Sequence, residues 1–255
     1  MGVLNEVIKT FDKSEEQKKE INETLDLLVQ LAEARAERYE KQIEDNLSVG
    51  RILGKESTKN LFFPITSVKD RRVQYRCITK DTPTDLVSDI SASVTDMVED
   101  HTAKNIITGI SNIINSSLKT ILGMGAGVEN FCSSTSTFIE GSGISASVSR
   151  FDCIIWGRGV KTESIRSTMN SVFTCVAYKS VVDVTKISFD DFRAVYTPFL
   201  EEGKFENPIE AIKFAKDIYD VLGGGSALTV SRPINLLSSN NVLTANDLIN
   251  SSILS

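Results

Sequence analysis

One histidine, His101, and one tryptophan, Trp156, occur in 255 residues, and the four cysteines stand far apart. With a single histidine, any Ser-His-Asp or Cys-His device would have to run through His101. That residue sits beside Glu99 and Asp100 at a predicted helix junction, the setting of a surface histidine. No catalytic residue is expected, and the chain reads as a non-enzyme. Cys77, Cys132, Cys153 and Cys175 form no CxxC pair, so no metal site is expected either. Three of them lie in strand-like runs, where a free cysteine packs as a small hydrophobe; a disulfide between subunits is the sharper alternative. Neither a Walker loop nor an EF-hand loop occurs. In "GMGAGV" (123–128) the glycines Gly123, Gly125 and Gly127 follow a helix, not a strand, and position 128 is Val128. That is a helix terminus and joint, not a dinucleotide loop, and no cofactor is expected.

Positive charge is also in short supply. The net charge of −6 argues against general nucleic-acid binding, which needs a basic surface to displace counterions. Residues 1–30 lack the apolar core of a secretory signal. Met1-Gly2 is not a myristoylation start, because Glu6 stands where Ser or Thr is needed. The expectation is synthesis in the cytoplasm without a secretory signal, with an inclusion as the form that self-assembly would take there; export by a route without a signal is the alternative.

What the chain does have is ordinary globular composition, 41% apolar and 24% charged residues, and enough length to bury a sizeable core. Residues 14–46 read as one long helix. Ser14 and Gln17 make a capping-box signature, and Ile21, Leu25, Leu28, Ala32, Arg35 and Tyr39 follow helical spacing. Its apolar stripe weakens after Ala32, where charges crowd from Glu33 to Asp45, so a surface helix packed through its first half is expected, with a partner-binding coiled-coil arm as the alternative. Residues 51–80 reverse the sign: Arg51, Lys55, Lys59, Lys69, Arg71, Arg72, Arg76 and Lys80 face only Glu56 and Asp70. Within them "RRVQYRCIT" alternates, placing Val73, Tyr75 and Cys77 opposite Gln74 and Arg76, as in a half-buried strand. Arg71, Arg72 and Arg76 are candidates for lipid headgroups or other phosphates; the alternative is a solvated strand face that neutralises the acidic first helix.

Two helices follow. Residues 83–100 carry Leu86, Ile90, Val94, Met97 and Val98 on one face, with Pro83 in the first turn. Residues 105–127 carry one charge, Lys119, in twenty-three positions. There Ile106, Ile107, Ile110, Ile113, Ile114, Leu118, Ile121 and Leu122 repeat at three and four, while Asn105, Thr108, Ser111, Asn112, Asn115, Ser116 and Thr120 make a neutral opposite face. That polar face disqualifies a solitary membrane span. The helix fits membrane insertion among oligomer neighbours, packing within an assembly, or ordinary core packing.

Residues 131–149, rich in Ser, Thr and Gly, read as a loop with a weak strand. "RFDCIIWGR" (150–158) and "SVFTCVAYKSVVDVTKI" (171–187) read as strands, the second central and covered on both faces, with a bulge near Lys179-Ser180 or unusual length. A last helix starts at Asn207-Pro208 and stops at Gly223. The expected fold is α/β of the α+β kind: a mainly antiparallel sheet covered by helical hairpins, with a long N-terminal helix. Its expected parts are a charged helix over 1–50, one α/β domain over 51–225 and a surface-wrapping tail over 226–255.

"LKTILG" (118–123), "IIWGR" (154–158) and "NSVFTCV" (170–176) resemble landmarks of the Cyt-type cytolytic δ-endotoxins. The order is similar too: a helical hairpin, a strand ending in Trp-Gly, then a long strand, all within residues 86–187. The charged first helix and the helix at 208–222 depart from that pattern. The resemblance implies a sheet wrapped by helical hairpins, lipid binding, oligomerisation and crystallisation inside cells. Two functions are therefore carried forward. One is a self-associating, cytolysin-like protein that perturbs membranes, its partners being itself and anionic lipid. The other is a structural protein that self-assembles without touching membranes.

Overall fold

Strands that are apolar on both faces need cover on both sides, and the two runs around Trp156 and Val176 are of that kind. The computed structural model describes residues 15–53, 62–79, 85–99, 104–122, 125–141, 146–161, 169–196 and 207–223. In it four strands, β1 (Ile65–Thr79), β2 (Glu129–Glu140), β3 (Ser147–Gly159) and β4 (Met169–Val182), form one sheet in the order β1-β4-β3-β2. Every neighbouring pair is antiparallel. The strands hold 12 to 15 residues, against the roughly five or six of an ordinary strand. The inner pair, β3 and β4, is buried almost throughout.

Each face of the sheet has its own helical cover. On the first face, Phe138, Phe151, Cys153, Ile155, Phe173, Cys175 and Ala177 meet α2 (Asp85–Glu99) and α3 (Lys104–Leu122) through Ile90, Val94, Met97, Ile110, Ile114, Leu118 and Ile121. On the second face, Ile154, Trp156, Val172, Val176 and Tyr178 meet the helix α1 (Glu15–Ser48). Beyond the Val148 end of the sheet, α4 (Phe189–Tyr196) and α5 (Pro208–Leu222) enclose a smaller cluster around Phe63, Val182, Phe192 and Ile218. The start of α5 is capped as its sequence dictates: Asn207 accepts from the Glu210 N–H at 3.0 Å, with Pro208 next.

Three expectations need correction. First, α1 packs along its second half as well as its first. Ala32, Ala36, Tyr39, Ile43 and Leu47 are all buried, spaced at three and four beneath the charged outer surface. Two alanines bring the helix backbone close enough for Thr174 Oγ1 to donate to the Ala32 carbonyl at 2.8 Å. The helix, about 50 Å long at 34 residues, thus shares the core of the sheet. Second, the Ser/Thr-rich run is no loop but the full-length strand β2, paired with β3 residue by residue over its whole length. Third, of the bulge or unusual length expected for the second run, the length is found, 14 residues in β4, and the irregularity at Lys179-Ser180 belongs to the opposing strand. There Val68 faces Ser180 and Asp70 faces Lys179, so Lys69 of β1 is the extra residue. Strand β4 itself ends at Val182, before a 3-10 turn at Val184–Lys186. Ser14, Lys55, Glu56, Lys59, Lys80, Pro83, His101, Gly123 and the tail 226–255 lie outside the described residues.

Candidate functional site

Helices α2 and α3 form a hairpin against the first face of the sheet. Ile110, Ile113, Ile114, Leu118 and Ile121 are buried and Ile107 is partly buried; Ile106 and Leu122 belong to the helix by backbone. Thr108, Asn112, Ser116, Lys119 and Thr120 are exposed. One helix thus carries a buried apolar side against the sheet and an almost uncharged side toward solvent. Ser91 Oγ and Ser111 Oγ, 3.0 Å apart, join the two helices. Polar ties to the sheet converge on Ser93 of α2. Its carbonyl accepts from Arg72 Nη1 at 2.9 Å, and its hydroxyl accepts from Gln74 Nε2 at 2.8 Å. Among the described residues, no helix is long and apolar enough to cross a membrane.

The Trp-Gly pair of β3 explains how both helical layers sit so close. Successive residues of a strand point to opposite faces. Trp156 turns to the second face, fully buried. There Arg35 of α1 lies over its ring at 5.1 Å, and its Nε1 donates to Glu129 Oε1 at 2.6 Å. Arg35 Nη2 closes the set on the same Glu129 oxygen at 3.0 Å. Gly157 turns to the first face, where a Cβ would stand 2.3 Å from Ile121 Cγ2. The missing side chain is what lets α3 lie flush on the sheet.

Arg71, Arg72 and Arg76 do not form one patch. Arg71 points to α1, where Glu40 pairs with it and raises its pKa by that hydrogen bond. Arg72 points the other way, to Ser93 and, at 3.3 Å, to Asp70. Arg76 is exposed and has no described partner among the described residues. The sign complementarity between the acidic first helix and the basic segment is therefore met at least partly inside one molecule, by Arg71 with Glu40 and by Tyr75 Oη with Glu33 at 3.3 Å. The Glu33 charge holds the Tyr75 phenol above its ordinary range.

All four cysteines are free thiols. Cys153 and Cys175 are buried diagonally across β3 and β4 on the first face. The neighbouring Cys175 thiol, then burial, hold Cys153 well above the thiol range. Neither can reach another subunit without opening the core. Cys132, on edge strand β2, is partly exposed, and Cys77 packs against the cluster of Ile21, Leu25 and Val160. Burial lifts Cys77 to about 11.

Sequence reading missed the ion pair of Arg150 and Asp152, both fully buried on the second face. Thr135 Oγ1 donates to Asp152 at 2.5 Å while accepting the Leu53 N–H at 2.8 Å. Arg150 also donates to the carbonyls of Arg51 and Phe63. Burial pushes the Asp152 carboxyl up, and Arg150 and Thr135 pull against that. This network is a fastener for the segment that enters β1. Among the described residues, no cluster of His, Cys, Asp and Glu could hold a metal ion. No protein-family model and no curated protein matches this chain.

Proposed function

We propose that this chain is a non-enzymatic, self-associating protein of cytolysin-like build that binds and perturbs membranes. The observation that carries the reading is the two-sided character of α3: an apolar side of Ile110, Ile114, Leu118 and Ile121 on the sheet, and an outer side whose described charge is Lys119 alone. Such a helix can exchange the sheet for lipid, because its other side brings almost no charge to be desolvated. Departure of the hairpin would bare a second apolar surface, the row of Phe151, Ile155, Phe173 and their neighbours. At 12 to 15 residues the strands also exceed the roughly 9–11 that a tilted strand needs to cross a bilayer. The Cyt-type resemblance implies a sheet wrapped by helical hairpins; the α2–α3 hairpin on the first face is in keeping with it, while the second face carries the single helix α1.

In this reading Arg76, with Arg72 on the same side of β1, draws the protein to anionic headgroups, and the α2–α3 hairpin then leaves the sheet for the lipid interface. The test is release of an entrapped dye. Anionic vesicles are expected to leak on mixing with the protein, and vesicles of neutral lipid to leak much less. Intact vesicles of both kinds would contradict the reading. The second reading, a structural protein that self-assembles in the cell without membrane activity, is favoured by the uncharged outer edge of β2. Ordered particles together with intact vesicles would establish it in place of the first.

A further inference from the structure

The two edges of the sheet are built differently. Along β1 the pairing slips three times, between Ile65 and Ser67, Val68 and Asp70, and Ile78 and Thr79. Lys69, Asp70, Arg71, Arg72 and Arg76 lie along the same strand. Irregular register and charge are the devices that keep an edge strand from pairing with another chain. Strand β2 has neither. It runs without a slip from Glu129 opposite Arg158 to Glu140 opposite Ser147, and between those two glutamates stands no charge, no proline and no glycine. Its neighbours outside the sheet reach its side chains: Leu53 N–H meets Thr135, Arg35 meets Glu129, and Ile139 packs into the cluster of α4 and α5. Among the described residues, its outward backbone N–H and C=O groups have no described partner. At one end of the strand Phe131 is 51% exposed and Val128 47%.

We infer that the edge of β2 is an interface between two copies of this chain, paired β2 to β2 in antiparallel fashion about a two-fold axis. The four-stranded sheet then continues into its copy. A two-fold axis at Thr135 sets residue 133 of one copy opposite residue 137 of the other, so interior charges of one sign at such positions would face each other. This strand has none in its interior. Ser133, Ser136 and Thr137 carry hydroxyls that each donate and accept, so they find partners in one another, while Thr135 keeps its bonds to Asp152 and Leu53. A charged foreign segment would find nothing of opposite sign to read. The inference deepens the self-association proposed above and rests on it.

The test uses the full chain. Sedimentation equilibrium is expected to show a dimer that persists at high salt. Ser133→Lys with Thr137→Lys, and Ser133→Glu with Thr137→Glu, place like charges across the axis, and each double variant alone is expected to raise the dissociation constant at least about tenfold. Mixing the two in equal amounts restores the dimer. Hydrogen exchange on the unaltered protein needs no variant: amides within 130–139 gain protection as protein concentration rises, and those of β1 do not. A monomer at every concentration overturns the interface, as does a dimer equally tight in the lysine variant. Protection of 130–139 that is independent of concentration would mean that another part of the same chain covers the edge, and overturns it too. Vesicle leakage by a protein that stays monomeric would remove this interface and leave the membrane reading intact.

Discussion

Arg150 and Asp152 stand two residues apart on β3, on the same face of the sheet and both fully excluded from solvent, with Nε 2.7 Å from Oδ2 and Nη2 2.8 Å from Oδ1. This bidentate pair, with Thr135 and the carbonyls of Arg51 and Phe63, fixes the entry to β1 against the centre of the sheet. Removing one partner leaves a buried charge without compensation. Asp152→Ala is expected to lower stability by about 3–5 kcal/mol. Arg150→Met with Asp152→Leu is expected to cost less than Asp152→Ala alone, because no orphan charge remains. Urea denaturation of the three proteins checks the order.

Gly157 faces Ile121 across the join of β3 and α3. Gly157→Ala is expected to destabilise by about 1–3 kcal/mol, the usual cost of overpacking. In an Ile121→Ala background the same change is expected to cost much less, since the atom it strikes is gone. A double-mutant cycle measures that coupling.

Cys77 gives the fold an alkaline limit. Its thiol is raised from 9.0 to about 11 by burial. Below pH 9 it is protonated in both folded and unfolded chains, and its contribution to stability is fully present. Between pH 9 and 11 only the unfolded chain ionises, so stability falls as pH rises, by about 1–3 kcal/mol in all. Tyr39 and Tyr178, both raised chiefly by burial, act in the same direction. Cys77→Val is expected to flatten the first part of that decline in denaturation curves taken from pH 8 to 11.

The three arginines of β1 are expected to differ in lipid binding because the structure separates them. Arg76→Gln should weaken cosedimentation with anionic vesicles more than Arg71→Gln, since Arg71 is engaged by Glu40. Equal losses would point to diffuse attraction by the whole segment.

Much of this architecture is legible in the sequence, and the failures have physical reasons. Helices α2, α3 and α5 announce themselves by apolar spacing, and α5 also by its Asn-Pro start and Gly223 end. Strands β3 and β4 are legible from runs of β-branched and aromatic residues. Strand β2 is hidden because its centre is hydroxyl-bearing on both faces, leaving no apolar alternation to read; only Phe131, Phe138 and Ile139 hint at it. The second half of α1 is obscured because Ala32 and Ala36 are too small to stand out among Glu33, Arg35 and Glu37, although smallness is what lets them pack. The buried ion pair left one signal unused: Arg150 and Asp152 are alternate residues in a run that is otherwise apolar up to Gly157. Two charges on the same face of a buried strand must find each other or another partner.

The central claim is that α3 leaves the sheet when the protein meets a membrane, and a tether across the Ile121–Gly157 contact tests it most directly. Ile121→Cys with Gly157→Cys places two thiols where a Cβ at 157 would stand 2.3 Å from Ile121 Cγ2, an atom that the first substitution removes, and mass spectrometry verifies the disulfide. The tethered protein is mixed with dye-filled anionic vesicles, with and without reductant, beside the unaltered protein under both conditions. The account predicts leakage from the variant only after reduction, and leakage from the unaltered protein in both. Leakage from the oxidised, tethered variant at the full rate would show that membranes are breached with α3 still in place, and would contradict it.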